Sequence, residues 1–165
     1  MAPKVGILVA AAALLVVPRL GGRTATQVVQ FQVTAINQVA VTGSPAPLAI
    51  TTATAGDAPA AAESGSSYAI TTNEANKKIT ASLDQPLPAG VTLEVSLAAP
   101  VGASTPGRVA LGTSSADVVT GISATNASGL AITYRLRATT TAQTTGPQAR
   151  VVTFTIVSGS LAVRR

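Results

Sequence analysis

The chain has no cysteine, no histidine and no tryptophan, and aromatic residues make up only 2% of its 165 residues. Without cysteine there are no disulfides, no thiolate metal sites, no sulfur nucleophile and no lipid anchor on an N-terminal cysteine. Without histidine neither a Ser-His-Asp nor a Cys-His arrangement can be assembled. No Gly-x-Ser-x-Gly elbow occurs, no Ser-x-x-Lys spacing surrounds Lys77 or Lys78, and no glycine-rich phosphate loop is present. Charge is scarce too: Asp, Glu, Lys and Arg together supply 10% of the residues, against about 25% in an average soluble protein. The polar surface must then come from Thr, Ser, Asn and Gln. With 47% hydrophobic residues and so few rings, the core must be built from Val, Ile, Leu and Ala. The length suits one domain with a real core.

The formal charge of +5 is only partly a property of the folding region. Lys4, Arg19 and Arg23 lie ahead of it in a stretch without acids, and without them the balance falls to +2. The other bases are scattered, apart from Lys77-Lys78, Arg135 with Arg137, and Arg164-Arg165. A nucleic-acid surface needs a basic stripe, usually with aromatics for stacking. None is present, and nucleic acid is not expected as a partner.

Residues 1–26 have the layout of a secretory signal peptide. Lys4 gives the positive end, and VGILVAAAALLVV (residues 5–17) is an unbroken apolar run. That run falls short of the ~20 residues a bilayer-spanning helix requires, so no stable membrane span is expected once the leader is removed. Pro18 breaks the helix, and cleavage is expected near Ala25 or Thr26. Arg19 and Arg23 fit the cleavage region poorly, and the alternative is an attached N-terminal helix. Residues 27–157 are then the folded domain and 158–165 a short frayed tail.

After the leader the apolar period becomes two, the signature of pleated strands with one face inward. Around residues 67–97 three runs alternate: Tyr68, Ile70 and Thr72; then Ile79, Ala81 and Leu83; then Val91, Leu93, Val95 and Leu97. The breaks at 73–77 and 84–90 suit turns, the second carrying Pro86 and Pro88. An antiparallel meander is expected here. Upstream, Val29, Phe31, Val33 and Ala35 predict a first strand over residues 28–36, with a bulge at Asn37-Gln38, a continuation through Val39 and Val41 to a turn at Gly43-Ser44-Pro45, and then a short strand over 48–52. Residues 53–66 and 98–108 read as loops. Downstream, strands are expected at 109–111, 115–120, 130–140 and 151–157, with a turn at 126–129. In residues 130–140, Leu130, Ile132, Tyr134, Leu136 and Ala138 form the inner face, with Arg135 and Arg137 outside. The whole is an all-β, antiparallel β-sandwich of about eight or nine strands, immunoglobulin-like, behind a signal-peptide helix.

Candidate chemistry is thin. The acids are Asp57, Glu63, Glu74, Asp84, Glu94 and Asp117. Asp57, Glu63, Glu74 and Asp84 fall in expected loops or turns, Glu94 on a wet strand face, and Asp117 at a strand start. A glycosidase pair would need sugar platforms that the chain lacks. Calcium needs clustered oxygen ligands; only Asp57 and Glu63 share a loop, and solvation is the default for both. Tyr68, Tyr134, Phe31 and Phe154 all fall on expected inner faces. No enzyme activity, catalytic residue, cofactor or metal site is expected.

The segments FQVTAINQVAVTGSPAPLAI, YAITTNEANKKITASLDQPLPAGVTLEVSLAAP and VVTGI with ITYRLRAT and VVTFTI resemble a group of small secreted bacterial β-sandwich proteins of uncharacterised function. YAITTNEANKKITASL is the most distinctive piece. More loosely, by fold class alone, the chain is similar to pilin and surface-fibre subunits. The resemblance implies an exported structural or adhesive module, extracellular or periplasmic. Partners would then be proteins or further copies meeting the edge strands at 28–36 and 151–157. A surface glycan held by the loops at 53–66 and 98–108 is the second expectation.

Overall fold

The computed structural model of the protein describes residues 24–159. Residues 1–23 of the expected signal peptide (1–26) and residues 160–165 of the expected tail (158–165) lie outside the described residues. The described residues fall in two units, 24–33 and 34–159. In the first, residues 24–33 have no helix, strand or turn. The second contains β1 (Asn37–Thr42), β2 (Ala62–Thr72), β3 (Lys77–Leu83), β4 (Val91–Leu97), β5 (Val109–Ala110), β6 (Ala116–Ile122), β7 (Thr125–Ala138) and β8 (Val152–Ser158). No helix occurs among the described residues, and none there is long and apolar enough to cross a membrane.

The strands form two antiparallel sheets, in the order β1-β2-β7-β4-β5 and β6-β3-β8. Their inner faces share one core. Tyr68, Ile70, Val95, Leu97, Ile132 and Tyr134 come from the larger sheet; Ile79, Ala81, Leu83, Val118, Val119 and Ile122 from the smaller. The arrangement is β-sandwich-like, and apart from Tyr68 and Tyr134 its buried core is aliphatic or Ala, as composition requires. Each fully buried aliphatic side chain contributes about 1.5–3 kcal/mol by leaving water.

The expected meander is not formed. β2 and β4 lie in the larger sheet and β3 in the smaller, so consecutive strands alternate between layers. The inner faces are nevertheless the expected ones, with Tyr68, Ile70, Ile79, Ala81, Val95 and Leu97 at most 1% exposed. Alternation fixes which face is apolar but not which strand lies beside it, and a hairpin and a sheet-crossing corner satisfy it equally. The corner at 73–76 is built for crossing. Asn76 adopts a left-handed φ of 52°, and the Ala124 amide donates to the Glu74 carbonyl at 3.0 Å.

Four local expectations also change. No strand forms over 28–36. The ladder begins at Asn37, where β2 supplies a partner; Asn37-Gln38 is therefore a strand start and not a bulge. Ahead of it Asn73 imitates a strand: its Oδ1 accepts from the Ile36 amide and its Nδ2 donates to the Thr34 carbonyl, both at 2.8 Å. Residues 48–52 form no strand, although Leu48 packs against the core. The loop expected over 53–66 ends at Ala62, where β2 starts. The turn expected at 126–129 lies inside β7. Gly129, at φ +67°, instead serves a bulge, where three steps of β7 oppose two of β2 between Tyr68 and Ile70.

Candidate functional site

The acids, where chemistry would have to reside, are mostly engaged by neighbours. Glu74 sits in the corner after β2, bonded by the Asn37 side-chain amide and paired with Lys77 at 2.9 Å. These two contacts, the Asn37 bond first, hold its carboxyl below the usual range. Asp84 follows β3 and accepts from the Val151 amide at 2.9 Å, tying down the entry to β8. Asp117, on β6 near its start, pairs with Lys78 of β3 at 2.8 Å. Glu63 does not lie in a loop with Asp57; it lies on β2 and meets Arg108 at 2.8 Å and Arg135 at 3.5 Å. The Asp57–Glu63 calcium pairing is thereby dissolved. Among the described residues no three acids gather as a metal cluster would require.

The outer face of the larger sheet carries the densest polar arrangement. Register puts Glu63 of β2, Arg135 of β7 and Glu94 of β4 in one row, with Arg137 one row along opposite Thr92. Glu94 leans to Arg137 at 3.7 Å. Glu94 Oε2 and Arg135 Nε are buried without a hydrogen-bond partner from the protein. Beside this row lies a groove of about 570 Å³ between the Gly56–Ala58 loop and the ends of β4 and β7, bordered by Asp57, Thr92, Glu94, Arg137 and Thr139. A shallower depression of about 290 Å³ lies at the corner formed by Ile36, Asn73 and Thr125. The groove offers hydroxyls and opposed charges but no ring to stack on a sugar.

Glu94, Arg135 and Arg137 lie on the outer face, as alternation in their strands predicts. The pairing of Glu63 with Arg108 and the part of Thr92 and Thr139 were missed. Arginines two apart on a polar face, with a glutamate on another strand's polar face, are the available signal. Only strand register converts it into a row. Tyr68 and Tyr134 are buried and Phe154 is partly buried as expected. Burial pushes the Tyr68 phenol up to about 12, and its hydroxyl donates to the Ala98 carbonyl. Phe31 is the exception: it is 91% exposed, because the strand that would have turned it inward does not form.

The sheet edges are the other candidate surface. β1 and β5 bound the larger sheet, β6 and β8 the smaller. β5 has only two residues, and β6 is bridged outboard by Ser104 at Thr120. β8 runs for seven residues, VTFTIVS, with no charge, proline or glycine. Its Val152, Phe154 and Ile156 pack against the core but stay only partly buried. On β3, one strand inboard, Ile79, Ala81 and Leu83 are at most 5% exposed.

No protein-family model matches this chain, and no curated protein matches it.

Proposed function

We propose that the protein is an exported, non-enzymatic module of immunoglobulin-like type that works by structural or adhesive contact at the cell surface or in the periplasm. The observation that carries this reading is the edge strand β8, which ends its own sheet and is approached by β1 of the facing sheet. Such edges are normally blunted by lysine, proline, a bulge or a covering segment, and β8 has no lysine, proline or glycine along its length. A seven-residue edge strand with half-covered apolar side chains is a template for strand addition. The acids support the same reading, since Glu63, Glu74, Asp84 and Asp117 are engaged in holding the fold. The leader-like residues 1–26 supply the export half of the proposal. The test is expression of the full chain in a bacterial host, with N-terminal sequencing of the extracytoplasmic product and light scattering at high concentration. Cleavage near Ala25 or Thr26 and multimers are expected. A cytosolic chain with its leader intact, or a sharp monomer, overturns the reading.

The groove beside Glu94 and Arg137 favours a second reading, a glycan-binding module. A carboxylate, a guanidinium and two threonine hydroxyls around one depression can bond a sugar without stacking. A glycan array positive for the protein and blank for Arg137→Ala would establish it.

A further inference from the structure

The segment ahead of the sandwich has the pattern of a strand and the environment of none. In QVVQFQVT (residues 27–34) Val29, Phe31 and Val33 share one face and Gln30, Gln32 and Thr34 the other. Yet Val29 is 72%, Phe31 91% and Val33 77% exposed, and residues 27–34 enter no ladder. An exposed apolar row of this kind is the sort of surface that marks interaction sites.

We propose that this segment of one copy adds to β8 of a second copy, as the fourth strand of the sheet β6-β3-β8. This inference rests on the reading of the protein as an assembling surface module and names the two parts that meet. The match is residue by residue. Three apolar side chains on the donor, Val29, Phe31 and Val33, would lie beside three half-covered ones on the acceptor, Val152, Phe154 and Ile156. On the outer face Gln30 and Gln32 would lie beside Thr153 and Thr155. Neither strand carries a charge, so no ion is desolvated and none repels. The other edges serve less well. β5 is too short and β6 already has its bridge to Ser104. β1 offers only Val39 and Val41 in its inward row, because Asn37 is committed to Thr72 and Glu74. The donor and acceptor patches differ, so the contact is head-to-tail and repeats along a growing chain unless a ring closes.

The absence of cysteine makes the test clean. Gln30→Cys and Gln32→Cys copies are mixed under oxidising conditions with Thr153→Cys and Thr155→Cys copies, in the four combinations that cover neighbouring registers. Non-reducing electrophoresis should show a donor–acceptor dimer in at least one mixture, and Phe31→Asp should abolish multimers while the far-UV circular dichroism stays β. Multimers that persist in Phe31→Asp without any cross-link overturn the inference and leave the broader assembly reading standing. A cross-link that forms within single chains carrying both a donor and an acceptor cysteine, and in none of the mixtures, overturns the second-copy assignment. An unmodified chain that is monomeric at high concentration sinks both.

Discussion

At the scale of the residue, the chain spends its few ionisable groups on position. Glu74 closes the corner between β2 and β3, taking a bond from the Asn37 amide and pairing with Lys77. With its folded pKa below the ordinary 4.5, the carboxylate contributes stability above that value. The contribution is lost as pH falls from 4.5 through the lower folded value. Glu74→Gln should therefore flatten the acid limb of a stability–pH curve below pH 4.5, read by denaturant midpoints; an unchanged limb would exclude the role. Tyr68 sets the opposite limit. Burial raises its phenol from 10.0 to about 12, so the folded chain keeps a proton that the unfolded chain has lost. Stability is intact below pH 10 and declines as pH rises towards 12. A spectrophotometric titration of a Tyr134→Phe chain should show the Tyr68 tyrosinate forming late, near 12, and a phenol titrating at 10 would contradict the burial of its ring. Asn73 acts without charge: its side-chain amide bonds the backbone at Thr34 and Ile36, doing where β1 begins what a neighbouring strand does further along.

At the scale of the element, the inner faces could be read from alternation, and the neighbours could not. Ile79, Ala81 and Leu83 had to face inward together whatever lay beside them, because period two is a property of one strand. Sheet membership depends on the corners, and the asparagine-rich run at 73–76 reads equally as a hairpin tip or a crossing. The 126–129 stretch failed in the opposite direction: Asn, Ser and Gly predict a turn, but a bulge inside a long strand uses the same residues. The candidate site suffered likewise, since Glu63 and Arg135 become partners only through the β2–β7 register. Gly90 shows how tightly one corner is held. At φ +77° it leads into β4, its carbonyl accepts from the Thr139 amide at 2.8 Å, and a Cβ there would come within 2.8 Å of the Ala142 nitrogen. Gly90→Ala combines a left-handed penalty of about 1–2 kcal/mol with a backbone collision. It should lower the denaturant midpoint by at least that much, where alanine at Gly43, with nothing within 4 Å, incurs only the conformational part. Equal losses at the two sites would show that the Thr139 corner is loose.

At the scale of the whole molecule, the two units answer to different demands. Every residue of the buried core lies at Tyr68 or beyond, so the sandwich has its own reason to fold. Residues 24–33 contribute none of it and carry exposed apolar side chains. If that segment serves assembly, its removal should change how the protein responds to concentration and leave the fold alone. Binding to a further copy stabilises the native state by mass action, which makes the melting temperature rise with protein concentration. The full chain should show that rise. A chain beginning at Thr34 should not, and in dilute solution the two should melt within about 2 °C, the shift expected of roughly half a kcal/mol. Far-UV circular dichroism of the shortened chain should remain that of a β protein. A large fall in its dilute-solution melting temperature would mean that the segment stabilises its own chain, and a rise that survives truncation would mean that assembly uses another surface.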